Sequence, residues 1–122
     1  MKVRYEVCTM PGGRRSNQDR WVIGRSVVEE REKTSGVWDT EVEPLLTAVL
    51  DGGGCVYSEL ASSATAHELG EIFYTPIGED RSVEDRSVKE KLEEACNKAE
   101  QVVTEINRYS YVAATTLTAA VF

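Results

Sequence analysis

The sequence is poor in the residues from which small metal and redox centres are commonly built. It has one histidine, His67, and three cysteines, Cys8, Cys55 and Cys96, at wide spacings and with no Cys-x-x-Cys pair. A zinc site of recognisable ligand spacing is excluded. An odd, scattered set of thiols points to reduced cysteines in a cytoplasmic protein, not to a disulfide framework. No apolar run reaches the ~20 residues of a membrane span, and the opening residues Met1 to Glu6 carry no signal-peptide apolar stretch. Positive charge is in deficit, with 14 Lys and Arg against 21 Asp and Glu and a net charge of -7. That balance repels a nucleic-acid backbone or an anionic membrane and suits divalent cations. Internal repeats and low-complexity segments are missing as well.

What remains is the composition of one soluble domain spanning residues 1–122, with 41% hydrophobic and 29% charged residues. Val3, Tyr5 and Val7 share one face of a strand over about 2–9, which Pro11-Gly12-Gly13 ends. Residues 20–29 are rich in Val, Ile and Trp and read as a second strand. The charged stretch 30–43, with Ser35-Gly36, reads as a loop or the tip of a long hairpin. Leu45 to Leu50 is nearly continuous apolar sequence, as a strand buried on both faces requires. A helix over about 59–73 follows, with Ser58 as its N-cap and Glu59 in its first turn. The segment from Tyr74 to Arg81 reads as a turn. A longer helix over about 87–108 has a capping box, Ser87 with Glu90, and one apolar stripe through Val88, Leu92, Ala95, Ala99, Val102 and Ile106. Thr115 to Phe122 reads as a last strand, and a chain that stops inside such a run suggests a fragment.

Three segments can carry chemistry together: Arg14 to Asp19, Val49 to Gly54 and Ser58 to Ser62. Asp51 stands where the apolar strand meets Gly52-Gly53-Gly54, so its carboxylate is held rigidly and the turn offers backbone carbonyls, both hard oxygen ligands. Asp19 precedes a strand in the same way. Converging strand-end carboxylates are suited to Mg²⁺ or Mn²⁺ with waters retained. Arg14, preferred over Arg15 on spacing, offers a planar fork for phosphate. His67, in mid-helix, is expected to be a partly buried structural residue, and Cys55 has no neighbouring base to activate it.

The same segments resemble the motifs of the protein phosphatase 2C family. Arg14-x-x-Asn17-Gln18-Asp19 resembles its Arg-x-x-Asn-Glu-Asp, and Val49-Leu50-Asp51-Gly52-x-Gly54 its Asp-Gly-Met-Gly-Gly. Glu59-x-Ala61-Ser62 is similar to the Gly-Glu-x-Ala-Ser that opens the family's first helix, and Thr115-Thr116-Leu117 to a later Thr-Thr strand. The four run in the family's order along nearly the whole chain. The resemblance implies an α+β fold, half of a layered α-β-β-α sandwich, with a mostly antiparallel sheet and two antiparallel helices on one face. It implies hydrolysis of phosphoserine or phosphothreonine in proteins by metal-activated water, without a phosphoenzyme. Two ions, Mg²⁺ or Mn²⁺, would be bridged by Asp51 and bound by the Gly52 carbonyl. Asp19 would act through metal waters and Arg14 would hold the substrate phosphate.

The sequence departs from that pattern in three respects. Gln18 replaces a Glu, leaving only an amide to hydrogen-bond a metal water. The glycine run lacks the family's His, and Cys55-Val56-Tyr57-Ser58 stands there instead. Later aspartates expected of the family do not occur, so metal binding by these residues alone should be weak. The implied partners are a phosphorylated protein and either a second copy or a missing C-terminal half to cover an exposed sheet. An inactive phosphatase-like module that binds a phosphoprotein or regulatory partner, and an unrelated small α+β binding domain, are the alternative readings.

Overall fold

The computed structural model describes residues 1–30, 32–53, 57–74, 87–109 and 113–122. Among these, six strands and two helices follow in the order β1 (Lys2–Cys8), β2 (Arg20–Ile23), β3 (Ser26–Val28), β4 (Lys33–Asp39), β5 (Leu46–Leu50), α1 (Ser58–Tyr74), α2 (Val88–Tyr109) and β6 (Thr118–Val121). The fold is α+β with antiparallel pairing throughout: a four-stranded sheet ordered β3-β2-β5-β6 and a two-stranded ribbon, β1-β4.

The alternation along β5 sets the layers. Leu46, Ala48 and Leu50 are fully or almost fully buried, with Thr47 and Val49 on the opposite face. Leu46, Ala48, Leu50 and Val22 meet Ala66, Leu69 and Phe73 of α1 and Ala95 of α2 in the larger core. A smaller core joins Val7 of the ribbon to Ile23, Val28 and Leu45 on the sheet's other face. The order is therefore helices, sheet, ribbon. The start of α1 and the end of α2 line one apolar groove, Tyr57, Leu60 and Ala64 facing Val102, Ile106 and Tyr109, so the two helices run antiparallel.

Small residues let α1 lie close on the sheet. Gly70 sits where a Cβ would just touch the Gly24 carbonyl and Val22, each at 3.6 Å. The periodicity of α1 is weak in sequence because its buried face is wide, taking in Ala61, Ser62, Thr65, Ala66, Leu69, Gly70, Phe73 and Tyr74.

Three features differ from the sequence reading. The expected strand 20–29 is two strands, because Gly24 adopts a left-handed φ of +58° and turns the chain into a hairpin. A Cβ there would also overlap the Trp38 ring. The stretch 30–43 contains β4, which pairs with β1 from Lys2↔Asp39 to Cys8↔Lys33. Its Gly36 lies under the Tyr5 ring, so one glycine that reads as a loop residue is a strand position covered by an aromatic. The last strand is shorter, with Thr115 only in an isolated bridge to Gly52. The capping box forms, Ser87 Oγ accepting from the Glu90 amide at 3.3 Å and the Glu90 carboxylate accepting from the Ser87 amide at 2.8 Å. Most of the expected 74–81 turn, together with Gly54, Cys55 and Val56, lies outside the described residues.

Tyr74 ties the end of α1 to the start of β5. Its hydroxyl accepts from the Leu46 amide at 2.8 Å and donates to the Pro44 carbonyl at 3.0 Å. Tyr74→Phe leaves the Leu46 N–H without that acceptor, beside a side chain that is fully buried. A loss of about 1–3 kcal/mol is expected, to be read from the shift in urea midpoint at unchanged slope.

Candidate metal-binding corner

Asp19 and Asp51 are carried by adjacent antiparallel strands. β2 and β5 pair from Arg20↔Leu50 to Ile23↔Thr47, so Asp19 precedes one strand just where Asp51 follows the other. Their carboxylates lie close enough for each charge to act on the other, with the Gly52 backbone beside Asp19. The pKa of Asp19 is raised. Partial desolvation is the largest cause, followed by repulsion from Asp51, while the Gly52 backbone and the Arg14 cation act in the opposite direction. Arg14 is itself exposed on the loop, and its positive charge reaches the pair.

Gly52 is fixed by its surroundings. A Cβ on it would come within 2.6 Å of the Gln18 carbonyl oxygen, 2.9 Å of Gln18 Cβ and 2.9 Å of the Ser58 carbonyl oxygen. On its other side, the Gly53 amide donates to the Ala114 carbonyl at 3.1 Å and the Thr116 amide to the Asp51 carbonyl at 2.9 Å. Those two bonds flank the Gly52–Thr115 bridge, so Gly52 occupies a non-hydrogen-bonded pair position. Its N–H and C=O both point away from Thr115, to the side of Asp19. Thr115 Oγ1 donates to the Asp51 carbonyl at 3.1 Å, and the Asp51 amide donates to Thr116 Oγ1 at 3.3 Å. The Thr-Thr pair thus braces the strand end that bears Asp51.

The loop that bears Asp19 is held from inside. The Asn17 amide donates to Thr9 Oγ1 and to the Glu30 carbonyl, each at 2.6 Å, and Asn17 Oδ1 accepts from the Asp19 amide at 3.1 Å. Ser62 Oγ, fully buried on α1, donates to the Gln18 carbonyl at 2.5 Å. Ser58 donates its hydroxyl to the Gly53 carbonyl at 2.6 Å, and the first helical bond runs from the Ala61 amide to the Tyr57 carbonyl, so Tyr57 takes the N-cap position expected of Ser58 while Ser58 anchors the glycine segment.

Sequence reasoning passed over Arg20. This arginine is 2% exposed. Nη1 donates to the carbonyls of Asn17 at 2.6 Å and Asp19 at 2.9 Å, and Nη2 to Glu59 Oε1 at 3.2 Å, while Nε lies 3.3 Å from Glu29 Oε1. Glu59, taken as a helix-start residue, therefore reaches across 39 positions to the site loop. The signal was available in the alternation of β2, which puts Arg20 on the same inward face as Val22. His67 is exposed instead of partly buried; Nε2 lies 3.2 Å from Glu29 Oε1, which also accepts from Ser63 Oγ at 2.6 Å.

The donor set is chemically suited to a hard divalent ion: two carboxylates, one glycine carbonyl on their side, and room at an exposed strand end for water. Mg²⁺ is commonly held by one or two carboxylates with several waters retained. Among the described residues no three Asp, Glu, His or Cys side chains converge, so the corner fits one weakly held ion better than a closed cage. Two carboxylates held together without a cation are in tension, and that has a measurable sign. Asp19 has a folded pKa above its ordinary 3.8, so the native state binds its proton more readily than the unfolded chain does. The pair costs stability above the folded pKa, and the cost disappears as pH falls through that value. Asp51→Asn is expected to raise the thermal midpoint of the metal-free protein at pH 7, with the gain shrinking toward pH 4 in a pH series.

Comparison with protein-family models, curated proteins and solved structures gives no match to this chain.

Proposed function

We propose that this chain carries the first metal-binding corner of a metal-dependent serine/threonine protein phosphatase of the 2C kind. The observation that carries the reading is the convergence of the Asp19 and Asp51 carboxylates beside Gly52, within reach of the Arg14 charge. The ordered set of four motifs is a second, independent support.

In this reading Asp51 and the Gly52 carbonyl hold Mg²⁺ or Mn²⁺ directly, and Asp19 orients its waters. Gln18 contributes an amide near the same waters. A divalent ion bound there supplies positive charge and an acidified water for attack at phosphorus. Arg14, on its exposed loop, grips the phosphate of a phosphoserine or phosphothreonine side chain with its planar fork. The substrate is a phosphorylated protein, and the free thiols Cys8 and Cys96 suit a cytoplasmic setting. No helix among the described residues is long and apolar enough to cross a membrane.

The test is hydrolysis of p-nitrophenyl phosphate with and without Mn²⁺. The enzyme reading expects Mn²⁺-dependent turnover that Asp51→Ala abolishes, and turnover unchanged by Asp51→Ala would end it. A second reading, a phosphatase-like module that binds a phosphoprotein without cleaving it, is favoured by one observation: among the described residues no third acidic side chain joins Asp19 and Asp51. It expects Mn²⁺ binding or phosphopeptide binding with no turnover.

A further inference from the structure

We propose that Arg20 is the positioning residue that sets the cation affinity of the Asp19–Asp51 corner, an inference that rests on reading that corner as a metal site. Asp19 and Asp51 each stand one residue beyond the Arg20↔Leu50 pair, and like charges so placed repel one another. Left to itself, the loop before β2 would relax by swinging Asp19 outward, gaining both conformational entropy and separation of charge. Something must hold it.

Arg20 is placed to do so. Its Nη1 binds the carbonyls on either side of Gln18, those of Asn17 and Asp19, at 2.6 and 2.9 Å. Its other nitrogens are braced by Glu59 from α1 and Glu29 from the segment after β3. Glu29 is tied in turn to Ser63 on α1. The guanidinium hydrogen-bonds three groups in fixed directions, the two carbonyls and Glu59, with Glu29 as an ion-pair partner 3.3 Å from Nε, a set that an ammonium cannot reproduce. Arg20 does not touch the carboxylate oxygens of either aspartate through any of these bonds. It acts on the backbone that aims Asp19 toward the end of the paired strand, where Asp51 follows Leu50.

Positioning and electrostatics make opposite predictions here. A cation near a metal site weakens metal binding by repulsion, so removing Arg20 should tighten binding if charge governs. If aim governs, removing it should weaken binding, and keeping the charge as lysine should not restore it. Outer partners that orient metal ligands typically contribute about 10–100-fold in affinity.

The experiment compares wild type, Arg20→Lys, and Arg20→Met combined with Glu29→Gln and Glu59→Gln. The triple variant removes the partner charges together with the cation, so no carboxylate is left facing an apolar side chain. Two readouts are taken on each: Mn²⁺ affinity from the paramagnetic resonance of free Mn²⁺, and hydrogen exchange of the Gly52 amide in metal-free protein. The expected result is at least about tenfold weaker Mn²⁺ binding in both variants, with faster Gly52 exchange while cooperative unfolding is retained. Wild-type affinity in Arg20→Lys, tighter binding in the triple variant, or loss of fold in both would each overturn the proposal. If wild type binds no Mn²⁺, the metal reading fails and the affinity claim falls with it. The Gly52 exchange then still decides whether Arg20 aims Asp19.

Discussion

Replacing Arg20 with alanine is expected to destabilise the domain by about 1–3 kcal/mol, the cost of leaving a buried acceptor without its donor. The loss has two sources. The carbonyls of Asn17 and Asp19 lose their shared donor, and a buried acceptor left without a partner costs about 1–3 kcal/mol. The carboxylates of Glu29 and Glu59 lose their cation, but their side chains are 31% and 35% exposed, so water takes over part of that role and this contribution is discounted. Urea unfolding would show the effect as a lower midpoint, and a change below about 1 kcal/mol would mean that the loop holds itself. The single alanine variant reports on stability. The charge-compensated variant separates stability from aim.

Gly52→Ala is the second large effect. The new methyl group would meet two backbone oxygens, Gln18 at 2.6 Å and Ser58 at 2.9 Å, and neither can move away as the tip of a flexible side chain could. Over-packing of this kind costs about 1–3 kcal/mol and sometimes more. Relief requires the Gln18–Asp19 segment or the start of α1 to retreat from the end of β5. Either movement takes Asp19 away from Asp51. The expected outcome is therefore a joint loss: a lower unfolding midpoint and Mn²⁺ affinity reduced by at least about tenfold. An alanine variant that lost stability but bound Mn²⁺ as wild type does would show that the glycine serves packing alone.

These two residues show what could be read from the sequence and what could not. The Leu45–Leu50 run was legible because β5 is central in its sheet and Leu46, Ala48 and Leu50 are buried against the helices, although Thr47 and Val49 are only half-buried, so the strand is not covered on both faces. Asp51-Gly52 was legible because a carboxylate and a glycine at a strand end are a local signature. The second helix was legible from its stripe and its capping box. β4 was not. It belongs to a two-stranded ribbon with an outer face in water, so Lys33, Ser35 and Val37 are exposed, and its Gly36 is tolerated only because Tyr5 lies over it. Nothing within residues 33–39 shows that β1 is opposite.

The candidate site divides along the same line. Asp19, Asp51 and Gly52 belong to short motifs and were found. Arg20, Ser62, Glu29 and Glu59 hold those motifs in place through bonds that span 3 to 44 positions, and spacing along the chain carries no trace of the longer ones. Glu59-x-Ala61-Ser62 illustrates the point. It was noticed as a motif, but its physical content, an anion for Arg20 and a hydroxyl for the Gln18 carbonyl, required the fold.

A cation held by Asp19 and Asp51 together is read out by Mn²⁺-induced broadening of backbone amide resonances across the protein. Sub-stoichiometric Mn²⁺ is expected to broaden the amides of Gln18, Asp19, Asp51 and Gly52 first, and Asp51→Asn to remove the effect. Broadening centred on the acidic outer face of α2, around Glu90, Glu93 and Glu94, or none at all, would contradict such a site.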